Sequence, residues 1–104
     1  MIDPQDQAIR RILRVNHAGE HGAVAIYGAQ LSKASGEPTI SWLNETLGHE
    51  RRHRDSFLSA MPSRGAKPCR MIAVWSIGGT FLGWVTALLG KSGIMICTAA
   101  VERT

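Results

Sequence analysis

The sequence predicts an all-α chain, and three observations carry that expectation. Apolar residues recur at steps of three and four along two long stretches, the spacing that lines one face of a helix. Pro4, Pro38, Pro62 and Pro68 fall at the edges of those stretches, where a residue with a fixed φ and no N–H is tolerated. No window alternates strictly between apolar and polar residues, and there is no tight Asn-Gly turn, so no strand is expected.

Asp3 reads as an N-cap and Pro4 as the first helical position, with Asp6 near the positive helix end. The first helical pattern then runs to about Ala34 through Ile9, Ile12, Leu13, Ala23, Val24, Tyr27 and Leu31. Ser35, Gly36, Glu37 and Pro38 close it and open a second helix, because glycine ends helices and proline starts them. The second stripe is Ile40, Leu43, Leu47, Phe57, Ala60 and Met61, which makes residues 4–61 a helical hairpin. Residues 62–70 read as a polar linker containing Gly65 and the basic Arg64, Lys67 and Arg70. From Met71 to Gly90 nothing is charged, and after Lys91 nothing is charged until Glu102. Residues 71–104 are therefore expected to form one or two apolar, membrane-associating helices. Gly78, Gly79 and Gly83 thin the packing there, while Trp75, Phe81 and Trp84 add bulk.

A chain of 104 residues is one small domain at most. Its 44% apolar and 19% charged residues, with no low-complexity tract, exclude a disordered tail or a collagen-like chain. The net charge of +4 suits nucleic acid or an anionic membrane and selects neither. Cys69 and Cys97 lack CxxC spacing and read as two buried free thiols. Arg10 and Arg11 lie inside the first helical pattern, so no signal or transit segment is expected ahead of it. A reducing compartment such as a bacterial cytoplasm follows as the expectation.

Both apolar stripes are interrupted, and acids fill the gaps. Asn16 and Glu20 bridge Leu13 to Ala23, and Glu50 and His53 bridge Leu47 to Phe57. These positions place Glu20, Glu50 and His53 toward the core, where an isolated carboxylate is costly unless paired, protonated or bound to a metal. Glu20 lies 16 residues before Gly36 and Glu50 lies 14 after it. At about 1.5 Å per residue, both sit roughly 21–24 Å from the turn, so the hairpin sets them opposite each other. Glu50 and His53 share a face as an i, i+3 pair. Buried ion pairing of Glu20 with Arg14 or Arg54 is the structural alternative. Four-helix di-iron bundles use lone Glu residues together with Glu-x-x-His motifs, and that chemistry accounts for all three residues at once.

Two zinc patterns also occur. His49-Glu50-Arg51-Arg52-His53 is a formal H-E-x-x-H, and His17-Ala18-Gly19-Glu20-His21 is its inverted form. Each leaves the other acid unexplained, and charged Arg51 and Arg52 stand where a buried zinc-peptidase helix carries apolar residues. Zinc also requires a third protein ligand. Two hard acids with few imidazoles favour iron or manganese.

The segments RVNHAGEHGAVAIYGAQ, LGHERRHRDSF and ALLGKSGIMICTAAVE resemble the demethoxyubiquinone hydroxylase family, di-iron monooxygenases of ubiquinone biosynthesis. The similarity runs from about Ile9 to the last residue. It implies a ferritin-like di-iron helical bundle. It further implies that Glu20 is a terminal ligand of one iron, Glu50 a bridging carboxylate and His53 a ligand of the same iron as Glu20. Glu102 would serve the second iron. The implied reaction hydroxylates the ring of a polyprenylated demethoxyubiquinone precursor, using O₂ and electrons that come ultimately from NADH. The family pattern continues into a further helix with a second Glu-x-x-His, whereas no His follows His53 here. The bundle over 1–104 is thus expected to be incomplete, a single partial ferritin-like domain from a C-terminally truncated or split product. The second iron site is then incomplete in this chain. Pairing of two chains as a homodimer would rebuild a four-Glu, two-His set. A catalytically inactive remnant that binds quinone or lipid is the alternative reading.

The resemblance also implies a membrane surface as partner, with other ubiquinone-biosynthesis proteins as possible neighbours. The expected location is the bacterial inner membrane, peripheral on the cytoplasmic face. An interface-lying helix over 71–90 is favoured over a true span or plain core. Trp75 and Trp84 suit the interface, and Arg64, Lys67 and Arg70 suit anionic head groups. The arginines at 10, 11, 14, 51, 52 and 54 read as a solvated outer face, and nucleic acid is not expected as a partner.

Overall fold

The computed structural model describes residues 3–102. Asp3 caps the first helix with its side chain, Oδ1 accepting a hydrogen bond from the Gln5 backbone N–H at 2.9 Å. That helix, α1, spans Pro4–Lys33. It stops where Ala34 turns extended, with the Ala34 N–H still bonded to the Gln30 carbonyl at 2.8 Å. Gly36 makes the reversal with a φ of +85°, which glycine adopts without steric cost. The Glu37 carboxylate then accepts from the Ser41 N–H at 3.3 Å and from its hydroxyl at 2.6 Å. This satisfies a donor left open by the first turn of α2, Thr39–Ala60.

The segment after α2 contains one 3₁₀ turn, Pro62–Arg64, closed by Gly65 in the left-handed region. Arg10 of α1 reaches this turn, its Nε donating to the Arg64 carbonyl at 2.6 Å. Arg10 therefore acts as a clasp and is only partly exposed, unlike the solvated arginine expected at that position. Two further helices complete the described chain, α3 (Ile72–Leu88) and α4 (Gly90–Glu102), with Gly90 at φ +73° between them. The described residues contain four α-helices and no strand, so the fold is all-α.

Helix α1 is central, packing most heavily on α3 and then on α2. The core joins Ala23, Ile26 and Tyr27 of α1, Leu43 and Leu47 of α2, and Ile94 and Cys97 of α4. Helices α1 and α3 run parallel: His21 meets Ser76, Gly22 meets Gly79, Ile26 meets Gly83, and Gln30 meets Thr86. The glycines of α3 thus bring two helix backbones together. Its outer face remains bare, with Val74, Ile77, Phe81 and Leu88 all more than half exposed. No helix among the described residues is long and apolar enough to cross a membrane.

Two details depart from the sequence pattern. Ile12 and Asn16 are exposed, as is most of α2 beyond Glu50, because no third helix among the described residues covers that end of the hairpin. Cys97 is buried as expected, but Cys69 is only half-buried, since it lies in the linker; both are free thiols.

Candidate metal centre

Glu20 and Glu50 stand at matched depth on antiparallel helices, and His53 follows Glu50 by one turn. The structure brings one ligand atom from each of Glu20, Glu50 and His53 within 4.8 Å of one another. This is the only group of three or more His, Cys, Asp or Glu side chains so arranged among the described residues. His53 Nδ1 lies 4.0 Å from Glu20 Oε1. Burial is graded across the trio: Glu50 is 8% exposed, Glu20 is half-buried, and the His53 side chain is 59% exposed. His53 thus faces outward more than its place in the apolar stripe implied, because it lies toward the uncovered end of the hairpin. Glu20 Oε2 is buried with no hydrogen-bond partner. Arg54 pairs with its neighbour Asp55 at 3.2 Å, and Glu20 is left without the arginine partner that ion pairing would require.

The electrostatics agree with that crowding. Burial, followed by the Glu20 carboxylate and then by Glu102, pushes the Glu50 carboxyl up to about 8. Acids gathered this closely cannot all ionise freely without a cation or a proton between them. Glu102, at the end of α4, is exposed and stands outside the trio. It still helps to raise the Glu50 carboxyl, and its Oε1 accepts a hydrogen bond from the Tyr27 hydroxyl at 2.9 Å.

Tyr27 lies in the apolar stripe of α1, whose spacing predicts only a place in the core. It is indeed fully buried, with its ring edge-on to Trp42 at 6.3 Å between centroids. Burial and the Glu102 contact hold its hydroxyl well above the usual tyrosine range, which keeps it a donor. The available signal was its position seven residues after Glu20, on the same helical face.

The other histidines go elsewhere. His49 lies 4.0 Å from Glu45 on the outer side of α2. His17 is buried with Nδ1 unpartnered, its ring 6.1 Å from that of His21. His21 Nε2 is hydrogen-bonded to Ser76 Oγ of α3. Burial pulls the pKa of both imidazoles down, assisted at His17 by His21 and then Arg54, and at His21 by Arg54. Each five-residue zinc pattern is therefore split, with its Glu in the trio and at least one of its imidazoles outside it.

Comparison with known proteins gives this site its family. The family described as "Ubiquinone biosynthesis protein COQ7" matches residues 7–104. The chain belongs to the COQ7 family. Among its relatives, the 3-demethoxyubiquinol 3-hydroxylase of Rhodospirillum rubrum is 40% identical over 103 residues, covering 97% of this chain and 49% of the relative. The mitochondrial NADPH-dependent 3-demethoxyubiquinone 3-hydroxylase of Mus musculus is 37% identical over 97 residues, covering 93% of this chain and 45% of the relative. The mitochondrial 5-demethoxyubiquinone hydroxylase of Saccharomyces cerevisiae is 32% identical over 104 residues, with 98% and 45% covered. The chain spans about half the length of these COQ7 relatives. Within that half lie Glu20, Glu50, His53 and Glu102.

Proposed function

We propose that this chain carries the Glu20, Glu50 and His53 portion of a di-iron centre, with Glu102 serving the second iron. The reading extends to the whole reaction: O₂-dependent hydroxylation of a polyprenylated demethoxyubiquinone or demethoxyubiquinol in ubiquinone biosynthesis. The observation that carries it is the trio within 4.8 Å, holding a buried Glu20 oxygen without a hydrogen-bond partner. Two carboxylates and one imidazole form a donor set suited to iron. Glu50 is the most enclosed of the three, so it is the carboxylate best shielded from competing water. Bound iron would supply the redox chemistry of oxygen activation, and the protein would supply positioning and exclusion of water. Electrons would come from a reduced nicotinamide, NADH by the resemblance and NADPH by the name of the Mus musculus relative.

The bare outer face of α3 supports a place at a membrane surface for the same protein. Val74, Ile77, Phe81 and Leu88 present a continuous apolar side, and Arg64, Lys67 and Arg70 precede it. Such a helix lies in the interface rather than crossing it, which suits a substrate with a long polyprenyl tail.

Anaerobic loading with Fe(II), followed by desalting and metal analysis, tests the centre. The expected result is retained iron in the purified chain and its loss in Glu20→Ala and Glu50→Ala variants that keep their helical circular dichroism. Equal retention by the wild type and both variants would remove the reading.

A further inference from the structure

We propose that Tyr27 is a positioning residue for Glu102, holding one oxygen of that carboxylate so that the group stays turned toward Glu50. The inference rests on the di-iron reading above and adds a residue that acts through Glu102 rather than on the metal itself. Tyr27 joins three helices at one point. Its backbone belongs to α1, its ring lies edge-on to Trp42 of α2, and its hydroxyl donates to Glu102 Oε1 of α4 at 2.9 Å. The ring is wholly enclosed, so its rotamer is locked by packing and the hydroxyl is delivered to a fixed place.

A buried tyrosine hydroxyl ordinarily finds some partner, and most such partners are structural. Here the acceptor is a carboxylate at an exposed helix end, which would otherwise turn freely in water. That same carboxylate is one of the acids that stand beside Glu50. A donor on one oxygen fixes the orientation of the group and leaves the second oxygen available. Outer partners of this kind change metal affinity by about 10–100-fold when removed.

Co(II) titration of the 104-residue chain, followed by visible absorption, tests the inference with Tyr27→Phe, Glu102→Gln and the double variant. Phenylalanine keeps the ring against Trp42 and removes only the hydroxyl. Glu102→Gln is expected to weaken one binding step without removing it, since Glu50 still serves that step. Tyr27→Phe weakens that same step about tenfold and leaves the step that depends on Glu20, Glu50 and His53 unchanged. In the Glu102→Gln background, Tyr27→Phe changes nothing further. Unaltered affinity in Tyr27→Phe, or equal weakening with and without Glu102, overturns the positioning role while the metal centre stands. A wild type that binds no Co(II) overturns the di-iron reading, and this inference with it.

Discussion

Gly79 of α3 lies against the carbonyl oxygen of Gly22 in α1, so close that a β-carbon on Gly79 would stand 2.7 Å from that oxygen. The Ala25 β-carbon would be 3.0 Å away on the other side. Both neighbours are rigid, one being backbone and the other a methyl without rotamers. Gly79→Ala must therefore push the two helices apart, at a cost of about 1–3 kcal/mol. Gly78, the preceding residue, has nothing within 4 Å of the same position. Gly78→Ala is expected to stabilise by roughly 0.5–1 kcal/mol through helix propensity alone. Urea unfolding of the two variants should show midpoints displaced in opposite directions, and matching displacements would contradict this packing.

Glu50 makes the metal-free protein sensitive to pH in a definite direction. Its carboxyl is raised from 4.5 to about 8 in the fold, by burial first and by Glu20 next. The folded state thus holds a proton that the unfolded chain releases. That contribution is complete below about 4.5 and is lost as pH rises through about 8. His17 and His21 act in the opposite sense below 6.5, because burial keeps protons off them in the fold. The fall from Glu50 is therefore cleanest between 6.5 and 8. Denaturation midpoints measured with a chelator present should drop across that window, and Glu50→Gln should flatten the drop. A wild-type midpoint that stays level from 6.5 to 8 would show that Glu50 titrates normally.

Most of the site was legible because a helix has one period and a hairpin has one depth. Glu20, Glu50 and His53 interrupt apolar stripes at positions 14 to 17 residues from Gly36, and the fold brings them into one cluster. What the stripes could not convey was which stretches of α1 and α2 receive a covering helix. Ile12 and His53 sit at core spacing and are nonetheless exposed, since α3 packs from His21 onward along α1. Tyr27 failed to stand out for a different reason. A tyrosine in an apolar stripe is ordinary core, and its polar end acquires meaning only when Glu102 arrives from 75 residues away. Arg10 was hidden likewise, its partner being a backbone carbonyl that carries no sequence signal.

The Arg10 clasp has its own measurable consequence. Its Nε–H to the Arg64 carbonyl is the long-range side-chain bond that ties the 3₁₀ turn to α1, and the guanidinium lies over Gly65. The contact is solvent-exposed, so its loss in Arg10→Ala costs about 1 kcal/mol rather than the larger value of a buried charged bond. Hydrogen exchange should locate the effect. The amides of Arg64, Gly65 and Ala66, which bond back to Met61 and Pro62, are expected to exchange faster, with those of α3 unchanged. Uniform acceleration throughout the chain would indicate a general loss of stability instead of a local release.

His49 and His53 flank Glu50 in one five-residue pattern, yet the fold separates their roles. His53 Nδ1 is 4.0 Å from Glu20 Oε1 inside the trio, while His49 sits 4.0 Å from Glu45 on the outer side of α2. A zinc-peptidase helix would require both imidazoles on one ion, and a di-iron hairpin requires only His53. His53→Ala is therefore expected to weaken Fe(II) or Co(II) binding at least tenfold, the lower end of the range for lost partners around a metal. His49→Ala should leave the affinity unchanged, because His49 lies outside the ligand cluster. Competition with a chromogenic chelator reads both variants against the wild type. Comparable losses in the two would restore the H-E-x-x-H arrangement.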